Sequence, residues 1–298
     1  MHIKIKLLLK EALKTPLLLL AVISNFYSLL LNLIKPGIGY FLQDSFTNKN
    51  QSRTQKISHI CQNGSLFEGS IYTPNNTCRI RANNFSTKEP ETLAWIDQYG
   101  GDGALFDVGA NIGLYSIYYA STKKSAVVAF EPSFFNVAEL AKNIAINKLT
   151  GLIKIVTNPL TNFNQFAEFS LSSIDIGGSQ SAFGVDYGFN GEAIEKFLTY
   201  QTLGFTLDEL FHIGALKDYP TLIKIDVDGI EHLILSGAVN TLKNPICRSV
   251  LIEVLDAFTE QASVVKEIME NAGFTLKAKM HSDMLNADDS YNQIWVKG

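Results

Sequence analysis

From residue 104 onward, short apolar runs alternate with segments of helix length, and no other feature of the chain constrains its fold as strongly. Residues 104–108, 126–130 and 153–156 read as strands buried on both faces, separated by helices over 112–121 and 133–147. Ser133, directly after Pro132, sits where an N-cap belongs. Further strand-like runs cover 221–225, 250–254, 274–279 and 292–296, and a helix over 259–271 meets a stop signal at Gly273. Strands alternating with helices predict an α/β fold, a doubly wound, mostly parallel seven-stranded sheet with helices on both faces. The last two runs have no helix between them and read as a C-terminal antiparallel hairpin. The 46% apolar content fits a packed core.

In such sheets ligands sit beyond the carboxyl ends of the strands. The first core strand runs into Asp107, Gly109, Asn111 and Gly113. The glycines let backbone come close to a ligand, and the helix that follows offers unpaired N–H groups. The second strand ends at Glu131, 18 residues after Gly113, where a carboxylate can accept both hydroxyls of a ribose. Together they point to a nucleoside ligand. Asp107 stands where a dinucleotide fingerprint has its first glycine. A carboxylate there repels a pyrophosphate and suits a cofactor carrying an ammonium and a sulfonium, which favours methyl transfer over hydride transfer.

The fourth core strand closes on Lys224, Asp226, Asp228, Gly229 and Glu231. Three carboxylates in so short a stretch cannot all be buried unpaired. Asp228 and Glu231 also suit the N-terminus of a helix, whereas Asp226 lies where strand meets cleft. Asn158, ending the third strand, is a candidate beside an adenine; the competing reading is a plain turn before Pro159.

These segments together resemble the FkbM-type methyltransferases, which act largely on hydroxyl groups of sugars and natural products. The resemblance rests on Phe106 to Gly113, on Phe130-Glu131-Pro132, and on Lys224 to Glu231 with Leu235 and Gly237 after it. Leu207 and Asp208 before the fourth strand, Glu253 after the fifth and Asn292 in the final hairpin also match the pattern. The family's Asp-Val-Glu-Gly reads Asp226-Val227-Asp228-Gly229 here, a shortening by one methylene that keeps the charge and changes its reach. The resemblance implies S-adenosylmethionine as cofactor, with Asp107, Gly109, Asn111 and Gly113 at its methionine end and Glu131 at its ribose.

A sulfonium methyl is already activated, so such an enzyme has to align the reactants and remove a proton. Asp226 and Glu253 end neighbouring strands and are the candidate catalytic residues. One version makes Asp226 the general base; another has Asp226 and Glu253 bind Mg2+ through hard oxygens. His212, His232 and His281 are weaker candidates for a base. Residues 172–204, a glycine- and serine-rich piece followed by an aromatic one, would shape the choice of a small-molecule or glycan acceptor. The 25 basic residues are scattered and net charge is −4, which argues against a nucleic-acid partner. A nicotinamide-dependent oxidoreductase and a non-catalytic, membrane-associated binding protein are the competing functional readings.

Residues 1–42 form a separate helical segment, 43–64 a polar connection and 65–298 the catalytic domain. Positions 15–34 carry no charge, the length of a membrane span. At about 100° per residue, Lys6, Lys10, Lys14, Ala21, Ser24, Asn25, Ser28, Asn32 and Lys35 fall on an arc roughly 100° wide, broken by Leu17. That stripe favours a helix docked on protein or lying in a membrane interface over residues 1–35; a transmembrane helix and a cleaved signal peptide are the other readings. Pro16 would kink the helix or start a second one. Cys61, Cys78 and Cys247 are too few and too scattered for a disulfide framework or a zinc site, in keeping with reduced thiols in the cytoplasm. Nothing in the sequence indicates an oligomeric state.

Overall fold

The computed structural model describes residues 2–281 and 290–298, and all their side chains except those of residues 2–13, 15 and 17. The chain divides into two compact units, Met1–Arg53 and Thr54–Gly298.

The first unit is a pair of helices, α1 (His2–Ile34) and α2 (Ile38–Gln51). α1 runs through Pro16 instead of breaking there. The break comes at Lys35-Pro36-Gly37, where a residue before proline avoids helical backbone and Gly37 takes a φ of +88°. Of the polar stripe, Lys6, Lys10 and Leu17 have side chains outside the described residues. Among the described residues, no helix is long and apolar enough to cross a membrane.

The second unit opens with strands β1 (Thr54–Ile60) and β2 (Leu66–Tyr72), paired antiparallel across the Asn63-Gly64 turn. The stretch read as a connection therefore holds the end of α2 and a whole strand. Helices α3 (Asn76–Asn83) and α4 (Pro90–Tyr99) follow, the first capped by Asn75. Then comes the alternating run: β3 (Ala104–Val108), α5 (Leu114–Lys123), β4 (Val127–Phe130), α6 (Phe134–Ile146) and β5 (Ile153–Val156). β6 (Gln165–Leu171), β7 (Ser181–Phe183) and β8 (Leu198–Gly204) form a separate antiparallel sheet, order β7-β6-β8. The chain ends with α7 (Leu207–His212), β9 (Pro220–Ile225), α8 (Glu231–Ser236), α9 (Val239–Lys243), β10 (Ser249–Leu255), α10 (Thr259–Asn271), β11 (Phe274–His281) and β12 (Ser290–Lys297).

The main sheet has seven strands in the order β11-β12-β10-β9-β3-β4-β5. β9, β3, β4, β5 and β10 pair in parallel, and β12 runs antiparallel to both β10 and β11. This is the doubly wound, mostly parallel α/β sheet with a terminal antiparallel hairpin that the alternation predicts. β3, β4 and β9 are buried at every position because helices cover both faces. Side chains alternate between two cores: Phe106, Val108 and Ile223 pack with Val250, Ile252 and Trp295, while Leu105, Leu222 and Leu251 pack with Trp95, Tyr118 and Leu140. Strand order reverses between β3 and β9, and a crevice opens there at the carboxyl ends.

Candidate active site

The turn after β3 is held by its own chemistry. The N–H groups of Gly109 and Ala110 both donate to the Phe130 carbonyl. Gly109 has φ +85°, and a Cβ there would lie 1.9 Å from the Asp226 carbonyl oxygen. Its freedom therefore serves the seam between β3 and β9. Gly113, φ +90° at the start of α5, would carry a Cβ 2.4 Å from a methyl of Leu140, so it seats α5 on α6. Contacts within the protein thus require a glycine at both positions. Asp107 lies behind the turn, 1% exposed. Its Oδ2 accepts from the Ser116 hydroxyl at 2.6 Å, while Oδ1 has no partner among the described residues. Burial pushes its carboxyl up, against the pull of Lys224 and Ser116.

Glu131 follows β4 and is buried. Its two oxygens accept from the N–H groups of Asn111 (2.8 Å) and Ser133 (2.9 Å). Ser133 does occupy the N-cap of α6, but its side chain makes no capping bond; it is the N–H of Ser133 itself that Glu131 binds. Burial outweighs these donors and lifts Glu131 to about 7. Asn111, at φ +51°, sends Nδ2 to the Gly178 carbonyl at 2.8 Å. Asn136 of α6 reaches the same loop, accepting from Gly177 N–H at 2.8 Å and donating to Gly178 O at 3.2 Å.

At the end of β9, Lys224 is buried and its Nζ donates to Asp226 Oδ2 at 2.6 Å. Burial alone would pull this lysine down, but Asp226, Glu89 and Asp107 together hold it above its ordinary range. Burial likewise favours the neutral form of Asp226, yet Lys224, a hydrogen bond with Glu253 and the charge of Lys88 hold it well below the carboxylate range. β10 lies beside β9 in register Ile252↔Ile225, which brings Glu253 level with Asp226. Glu253 Oε1 also accepts from the Ser290 hydroxyl. Asp228, at φ +64°, accepts from the N–H groups of Gln180 (2.7 Å) and Ser181 (3.1 Å) and is pushed up to about 6 by burial and by Asp226. Glu231 accepts from Val227 and Gly229 N–H and from Gln261 Nε2; it ties the start of α8 and stays out of the cleft.

A cleft of about 280 Å³ opens among these groups. Gly109, Asn111, Glu131, Asn158, Asp226 and Glu253 line it; Asp107 and Gly113 do not. Asn158 spends its amide N–H on the Leu203 carbonyl at 2.9 Å. Among the described residues no histidine lines the cleft. Magnesium does not fit between Asp226 and Glu253, because the Lys224 ammonium already supplies the positive charge and the two carboxyls bond each other. Among the described residues no cluster of three or more metal-ligating side chains exists.

The methyltransferase FkbM domain model matches residues 107–276 of this chain, more than half its length. The chain belongs to the FkbM methyltransferase family. A curated relative of this family member is the hexuronic acid methyltransferase AglP of Haloferax volcanii, 26% identical over 188 residues, covering 63% of this chain and 70% of that one. Among solved structures, the methyltransferase FkbM of Methylobacillus flagellatus KT superposes with a TM-score of 0.44 at 15% identity, over 65% of this chain and 43% of that one. This chain thus spans less than half the length of that protein. A precorrin-6y C5,15-methyltransferase from Geobacter metallireducens GS-15 gives 0.40 at 11% identity, over 73% and 89%.

In this methyltransferase several lining residues escaped the sequence reading. Arg81 and Lys88 line the cleft yet precede the family-matched region. Arg81 Nε donates to Gly177 O at 2.6 Å, and Lys88 pairs with Glu89 at 2.6 Å. Asn136 did leave a signal: it is a polar residue on the buried face of an apolar helix. Residues 172–204, expected to shape acceptor choice, hold β7 and β8, which complete the second sheet with β6.

Proposed function

We propose that the chain transfers a methyl group from S-adenosylmethionine to an oxygen of a sugar-like acceptor. One observation carries this reading: the cleft at the β3–β9 switch point is lined by the carboxyls of Glu131, Asp226 and Glu253 and also by Phe169, Phe183 and Phe189 with Gln180 and Ser181. Aromatic faces next to small polar groups suit a sugar ring, and the name of the haloarchaeal relative supports that class.

The residues present fit the cofactor. Glu131, which accepts from two backbone amides and from Asn136, lines the cleft and would accept from a ribose hydroxyl. Asn111 and the glycines Gly109 and Gly113 shape the turn that receives the methionine end. The unpartnered Asp107 oxygen can hold a water that bridges to the ammonium. Asn158 keeps its carbonyl oxygen for the adenine amine. The cofactor supplies an electrophilic methyl on a sulfonium, and the Asp226 charge steadies that cation and orients the acceptor.

An acceptor oxygen must shed its proton or arrive without one. Asp226 is so strongly held as the anion that it is a weak base. That favours a sugar carboxylate as the nucleophile, with Arg81 and Lys88 as the cations that would hold it. A hydroxyl acceptor, with Glu253 or Asp226 taking the proton, is the second reading. Calorimetric titration with S-adenosylhomocysteine and with NAD, on wild type and Glu131→Ala, tests the cofactor: only the former binds, and the substitution abolishes it. NAD binding would overturn the reading. Assay with a uronic acid and its neutral sugar then separates the acceptors, since a methyl ester is cleaved by alkali and a methyl ether is not.

A further inference from the structure

The helical pair of residues 1–53 is built the wrong way round for water. Ser28 and Gly39 are its only buried residues among those described. A Cβ on Gly39 would lie 2.0 Å from the Ser28 carbonyl oxygen, so the two backbones touch. The seam is otherwise polar: Asn32 Oδ1 accepts from Gly39 N–H at 2.9 Å, and Gln43 Nε2 donates to Asn25 Oδ1 at 2.9 Å. Asn25, Ser28 and Asn32 of the polar stripe therefore face α2.

Most of the described apolar side chains point outward. Leu19, Val22, Phe26, Leu29 and Leu33 of α1 and Phe41 of α2 are each more than half exposed. At about 100° per residue the apolar positions of α1 between Leu18 and Ile34 cover an arc of roughly 200°. A protein partner covers one face of a helix; an arc of that width calls for an apolar medium. Close-packed small residues with interhelical polar bonds are also how helices associate in lipid, where apolar side chains gain nothing by meeting each other. α2 turns polar after Gln43, and Lys4, Lys6, Lys10 and Lys14 precede the uncharged stretch against a single Glu11.

We propose that this hairpin inserts into the acyl layer of an anionic membrane. The apolar half of α1 and the start of α2 enter the hydrocarbon, and the basic stretch and the polar end of α2 stay at the headgroups. The test is flotation of the full chain with phosphatidylcholine vesicles, with and without phosphatidylglycerol. The protein floats, more completely with the anionic lipid, and molar salt does not strip it, since salt screens charge but not apolar burial. Phe26→Asp with Leu29→Asp lowers the floated fraction by about tenfold. Because those variants could disturb the hairpin, a polarity-sensitive dye gives a second reading. Cys61, Cys78 and Cys247 are buried, so a dye on Leu33→Cys reports that site, shifting to the blue with vesicles, while one on Asn48→Cys does not. Failure to float, release by salt, an unmoved Leu33 dye, or a lipid-free dimer that shields Leu33 would each overturn the proposal.

Discussion

Glu131 titrates where an enzyme works. Its carboxyl stands at about 7 in the free protein, and hydroxyl donors from a ribose would favour its charged form. Affinity for S-adenosylhomocysteine therefore rises with pH between about 6 and 8, with proton release on binding. Calorimetry in buffers of differing ionisation enthalpy measures that release. Glu131→Gln loses roughly ten- to a hundredfold in affinity and flattens the profile. Lys224 offers a second test at this scale. Lys224→Met removes the cation from a buried acid cluster and costs roughly 2–3 kcal/mol in chemical denaturation, less than a fully enclosed pair because Asp226 opens to the cleft. Lys224 was visible as a lysine inside an apolar run, but not its task, because apart from Asp226 the carboxylates it meets, Glu89 and Asp107, come from two other stretches of chain. The place of Asp226 where strand meets cleft was legible, and its weakness as a base was not, because Glu253 and Lys88 also come from elsewhere. Activity insensitive to chelators is the expected outcome of that ion pair, and an assay with and without EDTA checks it.

At the scale of elements, the loop from Ser173 to Gln180 is a strap fastened at both edges. Asn75, Cys78 and Arg81 grip Ile176 and Gly177 from the α3 side, Asn111 and Asn136 hold Gly178, and Asp228 holds its exit. Asn136→Ala strands a buried N–H and weakens the strap by about 1–3 kcal/mol. Amide exchange over 173–181 quickens, and KM for the acceptor rises more than kcat falls. The alternating strands β3, β4 and β9 were legible because burial on both faces leaves an unbroken apolar run. β6 and β8 were not, because their sheet is half open to solvent: Phe166 and Leu203 are exposed, and a strand pattern diluted by polar residues on both faces reads as loop. The stripe on α1 was legible in the periodicity, but periodicity does not tell what a face meets, and here Asn25, Ser28 and Asn32 meet α2.

At the scale of the whole molecule, carboxyls raised by burial set the pH response of the free protein. Glu131 and Glu231 stand at about 7 and the half-buried Asp228 at about 6, and Asp107 and Glu91 are raised as well. A raised folded value means stability fully present below the unfolded value and lost as pH climbs through the folded one. His232, held low by burial, pulls the other way, one group against these carboxyls. The unliganded protein thus melts at a lower temperature at pH 8 than at pH 5.5, and calorimetric scans across that interval check it. The same scans can be followed by light. The chain has two tryptophans, and they share one anchor: Trp95 Nε1 donates to the Ser249 hydroxyl, which donates in turn to the Trp295 carbonyl. Both indoles are sealed in the second unit, Trp95 on α4 and Trp295 on β12, 1% and 2% exposed. Intrinsic fluorescence will therefore follow the opening of the catalytic sheet alone and stay blind to the first 53 residues, so an optical melt can look simple while half of the story, the fate of the greasy helices, goes unseen.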